Sequence, residues 1–219
     1  MTNTRGSFDK ELLNLKNLIE NMGNDTTSYF REVVNSYLTM DAEKAEELIH
    51  YDKQINEQEF FIQEKGIYLI ARQQPVATDL RKIICAFKIS NEIERIADFA
   101  VNICKSAIRL DSAPRLEQET IQKMADQSIK MLSKTMEAYH EEDPVKAREA
   151  SEIDDHIDSL HSSNLETLIM QRFELKENVN IFIQTAYVSR YIERVADHVT
   201  NIAEEVIYLV KGERYTLNG

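Results

Sequence analysis

Two segments of this chain present the same set of oxygen-bearing side chains. Asn91-Glu-Ile-Glu-Arg-Ile-Ala-Asp-Phe-Ala-Val-Asn-Ile103 returns 99 residues later as Arg190-Tyr-Ile-Glu-Arg-Val-Ala-Asp-His-Val-Thr-Asn-Ile202, with seven of thirteen positions identical. Each copy carries a glutamate, an aspartate and an asparagine at four-residue steps: Glu94, Asp98 and Asn102, then Glu193, Asp197 and Asn201. On a helix that spacing stacks all three on one face. Like charges at this spacing oppose helix formation by a few tenths of a kcal/mol, so a chain that carries the cost twice invites a chemical reason. Asp52 with Asn56, and Asp154 with Asp158, repeat the four-residue spacing on the preceding helices. Where those helices neighbour the first pair, four oxygen-bearing side chains can converge along each groove.

The chemistry such a set performs is hard-cation binding. Carboxylate and carboxamide oxygens suit iron, manganese, magnesium or calcium, and without Cys or several His they do not favour structural zinc. Glu94, Asp98, Glu193, Asp197, Asp52, Asp154 and Asp158 are the candidate ligands. Asn56, Asn102 and Asn201 are candidate supporting groups, and His198 beside Asp197 adds a nitrogen in the second copy, where the first has Phe99. The bland alternative is a solvated acidic face inherited twice from one ancestor, with Arg95, Arg194 and Lys105 as its counter-charges. A di-iron carboxylate centre needs ExxH on two helices. Glu47/His50 and Glu137/His140 have that spacing, but they stand 90 residues apart rather than in repeat register.

A second motif is Arg72-Gln-Gln-Pro-Val-Ala-Thr-Asp-Leu-Arg81, with Lys82 beyond it. Arg72, Asp79 and Arg81 surround a turn sharpened by Pro75. It reads either as a helix hairpin whose charges satisfy one another or as an anion or partner site, since arginine forks suit phosphate and carboxylate. The second repeat reads Arg172-Phe-Glu-Leu-Lys-Glu-Asn-Val-Asn there and lacks the motif. No nucleophile–base arrangement, Gly-rich phosphate loop or HExxH is present.

The elements that hold these residues are helices. Five Gly and three Pro are few for 219 residues, and Trp is absent. Leu12, Leu15, Ile19, Met22, Phe30, Val33 and Tyr37 mark a first helix over about Phe8–Tyr37. Asp41 caps a second, carrying Ala45, Leu48, Ile55, Ile62 and Leu69 to about Arg72, before Pro75. A third runs from Pro75 or Asp79 to about Leu110, its seam Ile89, Ile93, Ile96, Ala100, Ile103, Ala107 and Leu110 stepping by four and three as in a coiled coil. After the linker Asp111–Pro114 the pattern restarts at an offset of 102: Ile121 and Met124 match Ile19 and Met22, and Asp143-Pro144 matches Asp41 as a cap. The offset falls to 99 through a shorter turn near Phe173–Asn178. The last helix carries Val188, Ile192, Val195, Val199, Ile202, Val206 and Leu209 and stops at Gly212.

The expected fold is therefore all-α: six long helices forming two tandem, homologous, antiparallel three-helix bundles, residues 1–111 and 112–219, related by a pseudo-twofold axis. A helical wheel puts the repeated acids roughly 140–180° from the apolar seam, on the outer face of each bundle. A net charge of −12 excludes a general nucleic-acid binder. Cys85 and Cys104 have no zinc or redox spacing and read as reduced structural thiols. Without a signal-like or membrane-length apolar run, the expected location is the cytoplasm.

Taken together, the paired Glu94-Arg-Ile-Ala-Asp98 and Glu193-Arg-Val-Ala-Asp197 and the turn Ala71-Arg-Gln-Gln-Pro-Val-Ala-Thr-Asp-Leu-Arg81 resemble the PhoU family of phosphate-uptake regulators over essentially the whole chain. The resemblance implies two three-helix bundles, multinuclear clusters of iron or another divalent metal (zinc included) on the E(D)xxxD motifs, and a homodimer. It implies a non-enzymatic adaptor that damps the phosphate-sensing histidine kinase (PhoR). It also implies modulation of the phosphate ABC transporter at its ATPase subunit (PstB), with the membrane reached only through these partners. Asn56, where the second copy has Asp158, implies a weaker ligand set in the first half. The rival readings are a plain helical scaffold and a metal-dependent enzyme with a substrate-sized pocket beside the acids.

Overall fold

A computed structural model describes residues 2–171 and 179–217, and among them the chain is helical without a strand. The helices are α1 (Thr2–Leu38), α2 (Ala42–Ile49), α3 (Asp52–Gln73), α4 (Ala77–Leu110), α5 (Gln118–Glu141), α6 (Pro144–Ser151), α7 (Asp154–Gln171) and α8 (Val179–Lys211). The run long, short, medium, long occurs twice, so the duplication expected from the sequence is the architecture.

Two of the six expected helices are interrupted. Asp41 caps α2 by accepting from the Lys44 N–H at 2.9 Å, yet α2 stops at Ile49. His50 and Tyr51 then donate to the Glu47 and Leu48 carbonyls at 3.1 and 3.0 Å, a tighter turn than the α ladder. Asp143 and Pro144 open α6 in the same way, and the ladder breaks again at Glu152 and Ile153. Periodicity cannot reveal such a break, because Ile55 and Ile157 resume on the buried face. Its consequence is positional: Asp52 and Asp154 are the first residues of α3 and α7. The shortened turn near Phe173–Asn178 and the Arg172 segment lie outside the described residues.

Both apolar seams are buried in full, and they join α1 and α5 in one continuous core. The most extensive helix contact is α4 on α8, across the repeats. The two run antiparallel: Arg81 lies 5.8 Å over the Tyr208 ring, Lys88 reaches Glu205 at 2.6 Å, and Phe99 packs 6.1 Å from Tyr191. The bundles thus share a core. On the flank of α4, α3 comes in close because Gly66 offers no side chain to Phe87 and Ile83. Cys85 and Cys104 are buried free thiols, which burial pushes up to about 12. No described helix is long and apolar enough to cross a membrane.

One buried arginine in the linker locks the C-terminal ends of α1 and α4 together. Arg115 Nε donates to the Tyr37 carbonyl at 2.8 Å and Nη2 to the Asp111 carbonyl at 2.9 Å, with the guanidinium 5.1 Å over the Tyr37 ring. These carbonyls lie at helix ends, where the Tyr37 oxygen takes only a long 3.4 Å bond from the Met40 N–H, so the guanidinium fork supplies donors that the ladder does not. Arg115→Ala therefore costs about 2–4 kcal/mol, and Arg115→Lys restores less than half, since one ammonium cannot span both ends. Chemical denaturation checks both; an alanine variant as stable as the parent contradicts the clasp.

Candidate metal centre

The first acidic set assembles where α3 packs beside α4. Asp52 sits in the first turn of α3 and accepts from the Asn56 amide at 3.2 Å, while its Oδ1 is buried without a hydrogen bond. Burial and the nearby Asp98 raise its pKa, although Asn56 and Lys105 oppose this. Glu94 feels more: burial, then Asp98 and Glu59, push it from 4.5 up to about 7. Arg95 pairs with Asp98 at 3.4 Å. Asn102 is half-buried one turn further along α4.

The second set is its counterpart between α7 and α8. Asp154 is only 3 % exposed and accepts from the Thr200 hydroxyl at 2.9 Å. Glu193, 8 % exposed, takes Arg190 at 2.5 Å and Arg194 at 3.7 Å, and Arg194 also reaches Asp197 at 2.8 Å. Burial and Asp197 raise both Glu193 and Asp158. His161 stands behind them with Nδ1 2.7 Å from the Ser189 hydroxyl, its pKa lowered by burial and by Arg190.

These positions correct the outward reading of the acids. Glu94 and Asp98 are half-buried and Glu193 is buried. The wheel measures an angle from one seam, but α4 is packed by α1, α3 and α8 together, so more than half of its circumference is covered. The acids line grooves at the bundle edge rather than an open face.

Two residues went unrecognised in the sequence, Glu59 and His161. They stand seven residues after Asp52 and Asp154 and are equivalent at the 102-residue offset, which is the signal that reveals them. Glu59 changes the comparison of the halves: Asn56 removes one carboxylate from the first set and Glu59 supplies another. Asn91 stands where Arg190 stands, so the second set is the better neutralised of the two.

Other candidates are placed elsewhere. His198 Nδ1 and the Asn201 amide both bond Glu92 Oε2, at 2.7 and 2.9 Å, across the α4–α8 seam. These bonds, with the charge of His198, outweigh burial and hold Glu92 below its usual range. His198 and Asn201 are therefore joints between the repeats in this conformation. Arg72 is bonded to the Tyr68 hydroxyl, whereas Arg81 packs on Tyr208 and Gly212. Asp79 borders a cavity of about 310 Å³ with Lys16, Lys82 and Glu142. The turn thus does not gather Arg72, Asp79 and Arg81 on one anion. His140 pairs with Glu20 at 2.8 Å and Glu137 with Lys146 at 2.8 Å, far from a di-iron arrangement.

Among the described residues, no three Asp, Glu, His or Cys side chains stand close enough together to hold a metal ion as they are placed. The donor set nevertheless suits one. Oxygen-bearing side chains face one another from two helices, Asp52 Oδ1 has no hydrogen-bond donor, and Glu94 is destabilised as an anion by burial and then by its neighbours. A hard cation would relieve the last two conditions after side-chain rotation.

Stability in chelator-treated protein carries the sign of this strain. The folded pKa of Glu94 lies above the ordinary 4.5, so between 4.5 and about 7 the folded chain binds more protons than the unfolded one. This contribution favours folding below that window and is lost as pH rises through it. Glu94→Gln then raises Tm at pH 8 by about 2–4 °C, allowing for solvent screening of a half-buried group, and manganese raises Tm more at pH 8 than at pH 5. Thermal melts across pH measure both effects. An unchanged pH slope in Glu94→Gln contradicts the cluster.

The same architecture is found in known proteins. The PhoU domain matches twice, at residues 19–107 and 121–206. The phosphate-specific transport system accessory protein PhoU homolog of Clostridium acetobutylicum is 34 % identical over 217 residues, 98 % of this chain and 99 % of that one. PhoU homolog 1 of Methanothermobacter thermautotrophicus is 32 % identical over 209 residues, 94 % and 95 % of the two chains. Crystal structures of PhoU from Streptococcus pneumoniae and Pseudomonas aeruginosa align with TM-scores of 0.90 and 0.89 at 26 % and 29 % identity. They cover 95 % and 94 % of this chain and 99 % and 100 % of theirs. By name these relatives are accessory and regulatory proteins rather than enzymes. With the duplicated scaffold, the twin acidic grooves and a match along nearly its whole length, the chain belongs to the PhoU family of regulatory accessory proteins.

Proposed function

We propose that this chain is a non-catalytic adaptor that reports phosphate sufficiency in the cytoplasm and acts as a negative regulator of phosphate uptake and starvation signalling. In this reading it binds the phosphate-sensing histidine kinase and the ATPase subunit of the phosphate ABC transporter, reaching the membrane only through them. The observation that carries the reading is the nearly full-length match to accessory proteins of the phosphate-specific transport system. The net charge of −12 favours protein and cation partners over nucleic acid. We take residues 1–111 and 112–219 as the two functional repeats of a protomer that works as a homodimer.

The acidic grooves are the metal-binding part of the same proposal. Asp52, Glu59, Glu94 and Asp98 would hold a hard cation in the first repeat, and Asp154, Asp158, Glu193 and Asp197 in the second. Oxygen donors favour iron, manganese, magnesium or calcium over zinc. Bound there, a cation would neutralise charge that the arginines leave over and hold α3 to α4 and α7 to α8.

Elemental analysis of protein purified without chelator, joined to pull-down with the kinase cytoplasmic region and the transporter ATPase, tests both parts. Glu94→Ala/Asp98→Ala and Glu193→Ala/Asp197→Ala are each expected to lose the metal of one repeat. Full metal content in both variants sinks the metal reading, and capture of neither partner by the parent protein sinks the adaptor reading.

A further inference from the structure

Four large apolar side chains stand in solvent on the outer face of α3. Phe60 is 60 % exposed, Phe61 53 %, Ile67 60 % and Tyr68 52 %. At helical pitch, Phe60 and Ile67 form one line and Phe61 and Tyr68 another, about 100° apart around the axis. Between the lines, at the outermost angle of the helix, run the exposed Glu57 and Glu64. At one end Arg72 lies 5.5 Å over the Tyr68 ring. The second repeat has Ser162, Ser163, Ile169 and Met170 at the four apolar positions, so the aromatic set belongs to the first repeat alone. Clustered exposure of this kind marks a binding surface.

Charge decides what covers it. An anionic lipid surface is repelled by the two glutamates and by the net charge of −12. A second copy is disfavoured by symmetry. A twofold contact that buries all four apolar side chains centres on residue 64 and sets Glu64 against Glu64. We infer that the outer face of α3 docks an amphipathic helix of a partner protein. That helix presents Lys or Arg at seven-residue spacing opposite Glu57 and Glu64, with large apolar side chains beside them. The spacing follows from the heptad arrangement of the face, in which acidic layers alternate with apolar ones. The inference deepens the adaptor reading by naming one docking surface, and it rests on that reading only for the partner being a protein.

Three helical peptides of about three heptads test it. One carries Lys seven residues apart within a leucine face, one carries Glu at those positions, and one has the same lysines moved to the far side. Fluorescence anisotropy with the intact protein at physiological salt is expected to show the face-lysine peptide binding at least about tenfold tighter than the others. Phe60→Ser/Tyr68→Ser lowers that affinity by about tenfold or more with an unchanged circular dichroism spectrum. Glu57→Lys/Glu64→Lys reverses the order, so that the glutamate peptide binds best. Equal binding of the three peptides, or an affinity that neither variant moves, overturns the inference. So does sedimentation showing a parent dimer that Phe60→Ser/Tyr68→Ser converts to monomer. The assay contains neither kinase nor transporter, so its failure and the failure of the adaptor pull-down are read separately.

Discussion

Everything in this molecule depends on the packing of α4 against α8, the two helices whose apolar seams belong to one continuous core. Seven residues of each seam are removed from water, and each large aliphatic side chain so buried is worth about 1.5–3 kcal/mol before conformational entropy is counted. Because α4 and α8 run antiparallel and come from different repeats, the buried residues of both halves join in one continuous core. The duplication is thus a way of closing a fold. Each repeat supplies one long seam helix, and the shorter helices cover what the seam pair leaves open.

That arrangement also puts the acids in grooves. A helix packed on one side leaves its far face to solvent, but α4 has neighbours on three sides and α8 is similarly enclosed. The glutamate and aspartate of each motif fall at the margin of the covered arc, within reach of the first residues of α3 and α7. There burial, and after it the charges of Asp98 and Glu59, raises Glu94 to about 7. The second repeat answers with arginine, Arg190 and Arg194 lying against Glu193 and Asp197. The first has Asn91 in place of Arg190 and adds Glu59, so the two grooves share geometry and differ in residual charge.

Much of this could be read from the chain. The four-three steps of Ile89 to Leu110 and of Val188 to Leu209 located the seam helices, and Asp41, Asp143 and Pro144 located the caps. The duplicated spacing identified the acids. Three features escaped for physical reasons. The breaks at His50–Tyr51 and Glu152–Ile153 preserve the buried face, so periodicity passes through them. The burial of Glu94 and Glu193 depends on how many helices surround α4 and α8, a number no single wheel contains. The bonds of His198 and Asn201 to Glu92 depend on the antiparallel register of the seam, which joins residues more than 100 positions apart.

Cation binding in the two acidic grooves, as proposed, places a metal ion on each flank of the α4–α8 pair. Anomalous diffraction from crystals grown with manganese examines it most directly. A peak is expected in each groove, at about 2.0–2.6 Å from carboxylate oxygens, between Asp52 and Glu94 or Asp98 and between Asp154 and Glu193 or Asp197. Manganese absent from both grooves, or bound only at surface carboxylates elsewhere, contradicts it.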